Sequence, residues 1–301
     1  MAYLSAVRGR SGCVLGVWLR AARGSPETSV KSNAVLIVVV AGTVLLYATA
    51  IVAGFWVKDF SIDRDPIQLH QGMEWTPPLE SSIPKNALGE SIRRGRLLFN
   101  ETPLYASQNT GGKVACSSCH AEGGMQPYAS PMVGLPAMFP MFNARAGHII
   151  SLQDRVQECF VRSENGKPLD YKGETMRAYV DYIDWLSQPE PNRAPFKGHG
   201  LVTLPDLKPD PRNGQKVYEA QCAGCHGGDG EGRPPMFPPV WGPESFNDGA
   251  GMNNLQKMAA FVQHNMPQNR MGILTPQQAY DVSAFIQAQP RPALNTAYKH
   301  F

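Results

Sequence analysis

The sequence predicts an all-α chain of two similarly built helical domains behind an N-terminal transmembrane helix, and three observations lead there. The pentad C-x-x-C-H occurs twice, at Cys116–His120 and Cys222–His226. Each copy follows a segment in which a glycine stands four residues before an aromatic, Gly95 and Phe99 in the first, Gly214 and Tyr218 in the second. Each is also followed by apolar residues at helical spacing that stop at a proline. These are Met176, Tyr179, Val180, Ile183 and Leu186 before Pro189, then Tyr280, Val282, Phe285 and Ile286 before Pro290.

The elements follow in chain order. Residues 1–33 form a basic arm, and 34–57 an uncharged apolar run ending at Trp56 and Val57. At about 1.5 Å per residue this run is long enough to cross a ~30 Å hydrocarbon core. A cleaved signal peptide is the rival reading, since Ala48-Thr49-Ala50 resembles a small-residue cleavage site. Basic residues ahead of the run place the N-terminus in the cytoplasm and the rest of the chain in the periplasm. The expectation is therefore a single-pass protein of a bacterial cytoplasmic membrane. Residues 58–85 are a spacer, 86–190 the first domain, 191–208 a Pro-rich linker, 209–290 the second domain and 291–301 a tail.

The formal charge of +3 describes no single surface. Residues 1–58 carry six Lys/Arg against one acid, Glu27, while the remainder carries 22 basic and 24 acidic side chains. A nucleic-acid binder would gather positive charge on its folded domain, so no nucleic-acid partner is expected.

The pentads carry the chemistry. C-x-x-C-H is the attachment pattern of c-type haem. Two thiols (Cys116 and Cys119, then Cys222 and Cys225) add across the vinyl groups of one porphyrin. The adjacent histidine, His120 or His226, then reaches the iron. A four-cysteine zinc site or a redox dithiol are the alternatives, and neither needs a histidine directly after each second cysteine. The reading is two cytochrome c-type haem domains holding two covalently bound haem c groups.

Cys13 falls in the basic arm, which leaves Cys159 without a disulfide partner in an oxidising compartment. Ser151 and Asp154 mark a helix start. From there Arg155, Cys159 and Arg162 fall on one helix face. Two guanidinium groups beside a thiol favour the thiolate and attract a small anion. A buried structural cysteine is the plainer alternative, and Met132, Met138 and Met141 are its rivals as an iron ligand.

The run FPMFNARAGHIISLQDRVQECFVRSENGKPL (139–169) resembles the first-domain signature of the thiosulfate dehydrogenase family, and more distantly the haem-thiolate sulfur-oxidation cytochromes called SoxA. The resemblance extends over about residues 86–290, including F-V-x-x-N-M-P and D-V-S-A-F-I-x-x-Q-P-R-P. It implies an enzyme that couples two thiosulfates into tetrathionate, or runs the reverse. It also implies His/Cys ligation of the first haem by His120 and Cys159, with Arg145, Arg155 and Ser163 in the substrate pocket. Two electrons leave per S–S bond formed, and two haems offer two one-electron sinks.

For the second haem, a His/Met pair suits electron exit, since methionine ligation raises the potential. Met271 is the first choice of ligand and Met266 the runner-up. Where family members place a lysine beside the methionine, this chain has Arg270, which does not deprotonate to bind iron. The alternative function is a non-catalytic dihaem carrier relaying electrons from a periplasmic dehydrogenase to a membrane oxidase. Either function needs a redox partner, a small cytochrome c or the oxidase itself. The Arg145/Arg155/Cys159 group separates the two, because a simple carrier does not require it.

Overall fold

Helix α1 (Ala87–Asn100) begins where the Asn86 side chain accepts from Gly89 N at 3.1 Å. It crosses α3 (Glu174–Leu186). The approach is close because Gly95 has no side chain: a Cβ there would lie 2.0 Å from the Ala178 carbonyl oxygen. The crossing is sealed by Tyr179, whose hydroxyl donates to Leu98 O at 2.9 Å, and by Phe99 against Tyr182 at 5.5 Å between ring centroids. Helix α2 (Leu152–Arg162) lies between them in sequence. It starts with a reciprocal Ser151–Asp154 capping box and buries Val156, Phe160 and Val161.

The second domain repeats the plan. Helix α4 (Pro211–Gln221) crosses α6 (Pro276–Gln287) at Gly214, where a Cβ would lie 2.0 Å from the Asp281 carbonyl oxygen. The buried Asp281 carboxylate accepts from Asp210 N, Asn213 Nδ2 and Gln277 Nε2, which ties the two helices together at the start of α4. Tyr218, Trp241 and Phe285 form one aromatic cluster beside the second pentad. Helix α5 (Leu255–Asn265) packs on α6. Because a backbone carbonyl blocks the space at each crossing, Gly214→Ala is expected to destabilise by about 3 kcal/mol. Thermal unfolding of the haem-loaded protein should show a Tm lower by roughly 6–12 °C, and an unchanged Tm would refute the close-approach argument.

The computed structural model describes residues 77–188 and 198–301, which belong to one compact unit. The basic arm, the apolar run 34–57, residues 58–76 of the spacer and residues 189–197 of the linker lie outside the described residues. Among those described, no helix is long and apolar enough to cross a membrane.

One element departs from the all-helical expectation, a two-stranded antiparallel hairpin of β1 (Met141–Asn143) and β2 (His148–Ile150). Asn143 Oδ1 accepts from Arg145 N at 2.9 Å and Ala146 N at 3.2 Å, and Gly147 takes a left-handed φ of 75°. Strands of three residues are too short to leave an alternation that stands out in the sequence.

The domains are joined by more than the linker. The buried Asn247 donates to Val161 O at 2.8 Å and Asn165 Oδ1 at 3.2 Å, and Asn265 donates to Tyr128 O at 3.0 Å. The described part of the linker is anchored to the first domain. Gly198 O and Gly200 O accept from Tyr128 N and Ser130 N, so this stretch is tied to the loop after the first pentad. Residues 291–301 also pack: Arg291 sits 4.4 Å over the Phe246 ring, and Arg162 Nη2 donates to the Phe301 carbonyl.

Candidate active site and haem-attachment sites

Both pentad histidines are built alike. His120 Nδ1 lies 2.6 Å from Ser130 O, and His226 Nδ1 lies 2.9 Å from Pro238 O. A carbonyl can only accept, so each Nδ1 carries the proton and each Nε2 keeps its lone pair, the arrangement a metal-ligating histidine needs. Burial keeps both rings neutral, pushing His120 down to about 4 and His226 below its ordinary range. Burial also raises the thiols, Cys119 to about 12 and Cys222 to about 11.

The first pentad opens on a cavity whose apolar walls include Phe99, Leu135, Leu152, Val156, Tyr179 and Ile183. Cys116, Cys119 and His120 lie on its lining, and so do Cys159, Arg155 and Ser163 from α2 and its C-terminal cap. The Glu164 carboxyl is buried here too. Cys116 Sγ lies 3.7 Å from its Oε1, its Oε2 has no hydrogen-bond partner, and burial raises its pKa well above the carboxylate range. Apolar walls, two cysteines, a neutral histidine and an orphaned polar atom fit a porphyrin standing in this space.

The predicted group around Cys159 is brought together in part. Arg155 is the cation that acts most strongly on it: the thiol is the leading influence raising the Arg155 pKa, and Arg155 Nη1 donates to Glu158 Oε2 at 2.8 Å. Arg145 does not line this cavity. It is exposed at the hairpin tip, its Nη1 donating to Gly249 O at 3.4 Å, although its charge still acts on Cys159. Arg162 turns away altogether, its Nη1 donating to the same Gly249 carbonyl at 3.3 Å. The expectation that two guanidiniums depress the thiol is therefore corrected. Burial dominates and pushes Cys159 up, with Arg155 the main opposing influence.

Of the methionine rivals, Met132 lines the cavity. It also lines the adjoining groove with His120 and Ser130, which Cys159 does not reach. Met141 lines that groove but not the cavity, and Met138 lines neither. In the second domain Met271 is partly buried with its Sδ 3.8 Å from the Gln126 amide, while Met266 packs against the domain's core cluster. Arg270 beside it donates to Gln221 Oε1 at 2.7 Å.

Glu158 and Glu164 both escaped the sequence reading. Glu158, 2% exposed, accepts from Asn143 Nδ2 with both oxygens, at 3.0 and 3.1 Å. An acid one position before the thiol was the available signal, but its contact with Asn143 depends on the hairpin folding back over α2.

Crossed helix pairs, each with a C-x-x-C-H segment and a neutral, carbonyl-anchored histidine, define a dihaem c-type cytochrome carrying two covalently bound haems. Residues 102–191 match the SoxA/TsdA, cytochrome c domain family, and residues 211–290 match the cytochrome c family. The chain belongs to the thiosulfate dehydrogenase family. It is 40% identical over 227 residues to a thiosulfate dehydrogenase of Allochromatium vinosum, covering 72% of this chain and 84% of that protein. To one of Thiomonas intermedia it is 37% identical, covering 73% and 72%. The solved thiosulfate dehydrogenase TsdBA from Marichromatium purpuratum, in its as-isolated form, superposes with a TM-score of 0.70 at 34% identity. That match covers 72% of this chain and 50% of the solved one, so this chain spans about half its length.

Proposed function

We propose that this protein oxidises thiosulfate to tetrathionate, two S₂O₃²⁻ giving S₄O₆²⁻ and two electrons, or runs the reverse. The observation that carries the reading is the pairing of part-buried Arg155 with Cys159 on the lining of the cavity that holds the first pentad. Joining two dianions brings four negative charges together, so their mutual repulsion dominates the approach. A guanidinium held on an apolar cavity wall, part-shielded from solvent, opposes that repulsion more than it would in water. Arg155 holds one sulfonate by charge, Ser163 donates its hydroxyl to the same anion, and Arg145, exposed on the hairpin outside the cavity, draws in the other.

His120 and Cys159 are the proposed ligands of the first iron, His226 and Met271 those of the second, with Met266 the runner-up. When bound, the haems supply two one-electron acceptors, and coordination deprotonates a thiol that its protein surroundings alone keep protonated. Localisation is proposed from the sequence: the run 34–57 anchors the chain in the cytoplasmic membrane with its haem domains in the periplasm. There a small cytochrome c or membrane oxidase would take the electrons.

The test mixes purified, haem-loaded protein with thiosulfate under anaerobic conditions and follows the haem absorbance. Rapid reduction with tetrathionate as product is expected. Absence of reduction, with His/Met spectra for both haems, would leave the carrier function instead.

A further inference from the structure

We propose that Glu158 is a positioning residue for the substrate anion, tying the hairpin that carries Arg145 to the helix that carries Arg155 and Cys159; this rests on the thiosulfate reading above. A carboxylate beside an anion pocket is at first sight a liability, since it repels a dianion and cancels one guanidinium. Its geometry gives the reason for its presence. The carboxylate is buried, and it accepts from two side chains that belong to different elements. Arg155 lies three residues earlier on α2, so the contact at 2.8 Å holds its guanidinium along the helix toward Cys159. Asn143 lies at the end of β1, and its Nδ2 donates to both carboxylate oxygens.

The Asn143 amide works from both ends. While Nδ2 faces Glu158, Oδ1 accepts from the backbone N–H groups of Arg145 and Ala146. Donors on one side and acceptors on the other leave a single orientation for this amide. One unbroken chain of hydrogen bonds thus runs from Arg155 through Glu158 and Asn143 to the backbone of Arg145. Neither Glu158 nor Asn143 has to touch the substrate. Their effect is to hold two cations, one on the cavity wall and one on the exposed hairpin, at a set separation before an anion arrives.

Positioning and charge give opposite signs, which makes the idea testable. Glu158→Gln keeps the size but removes the negative charge and turns an amide donor toward Arg155 or Asn143. If Glu158 acted only by charge, the more positive pocket would bind thiosulfate more tightly and KM would fall. Positioning requires KM for thiosulfate to rise, by about tenfold, with both haems attached and their spectra unchanged. Asn143→Ala should raise KM similarly, and the double variant should add little to either single one, because both break the same chain. Glu158→Asp, which keeps the charge, should recover part of the affinity. An unchanged or lowered KM in Glu158→Gln, or fully additive effects, overturns the proposal. Should Glu158→Gln fail to accumulate, the Asn143→Ala KM decides alone. A wild-type protein that thiosulfate does not reduce overturns the function itself, whereas an active wild type with indifferent variants overturns only the tether.

Discussion

Cys159→Ala is expected to lower thiosulfate-driven turnover by about 10³-fold while both haems stay attached. The expectation rests on where the side chain sits: on the lining of the same cavity as Cys116, Cys119 and His120, beside Arg155, at a position no other thiol occupies. Haem attachment depends on the pentads and is untouched by the change. Stopped-flow mixing with thiosulfate reads the loss, and the absorption spectrum of the first haem should change with it. Cys159→Met sharpens the test, because a His/Met pair raises the potential and should leave the protein reducible by ascorbate yet inactive with thiosulfate. An alanine variant retaining wild-type turnover would show Cys159 to be a packing residue.

Arg155→Ala should cost about 10²–10³-fold in kcat/KM, roughly 3–4 kcal/mol. Two effects combine. The pocket loses the cation on its wall, and buried Glu158 is left with Asn143 as its remaining partner, which destabilises the fold by about 1–3 kcal/mol. Arg155→Lys keeps the charge and should recover binding only in part, since an ammonium does not reproduce the planar fork that reaches Glu158 and the cavity together. Steady-state kinetics with a dye acceptor and thermal unfolding separate the two losses. Equal kcat/KM in wild type and Arg155→Ala would remove this arginine from the site.

The haem domains were legible because their determinants are local or repeated. Each pentad is contiguous, and the glycine and aromatic of each first helix are one turn apart. Ser151 announces a helix start through a hydrogen bond within three residues. Cys159 and Arg155 were also readable, being one turn apart on a single helix. Arg162 shows where that logic stops. Its spacing puts it on the same stripe, but a long side chain turns toward whichever acceptors are near, and these are carbonyls of the second domain and of the C-terminal segment.

What the sequence determined by itself was the kind of protein: two attachment sites, two crossed helix pairs, a lone cysteine and the arginine one turn before it. The pentads, the cysteine and the arginine depend on neighbours within about a helical turn, where covalent geometry alone sets the distance, and the helix pairs were marked by a pattern that occurs twice. Only the tertiary structure decided that the Asn143 amide meets Glu158, that Arg145 stands outside the first cavity, and that the linker holds the loop behind His120. The same is true of the thiol's protonation, where burial contributed by the walls outweighs the cations on its own helix. Those outcomes depend on residues far apart in the chain, and no periodicity encodes which of several compatible partners a folded chain brings within hydrogen-bond reach.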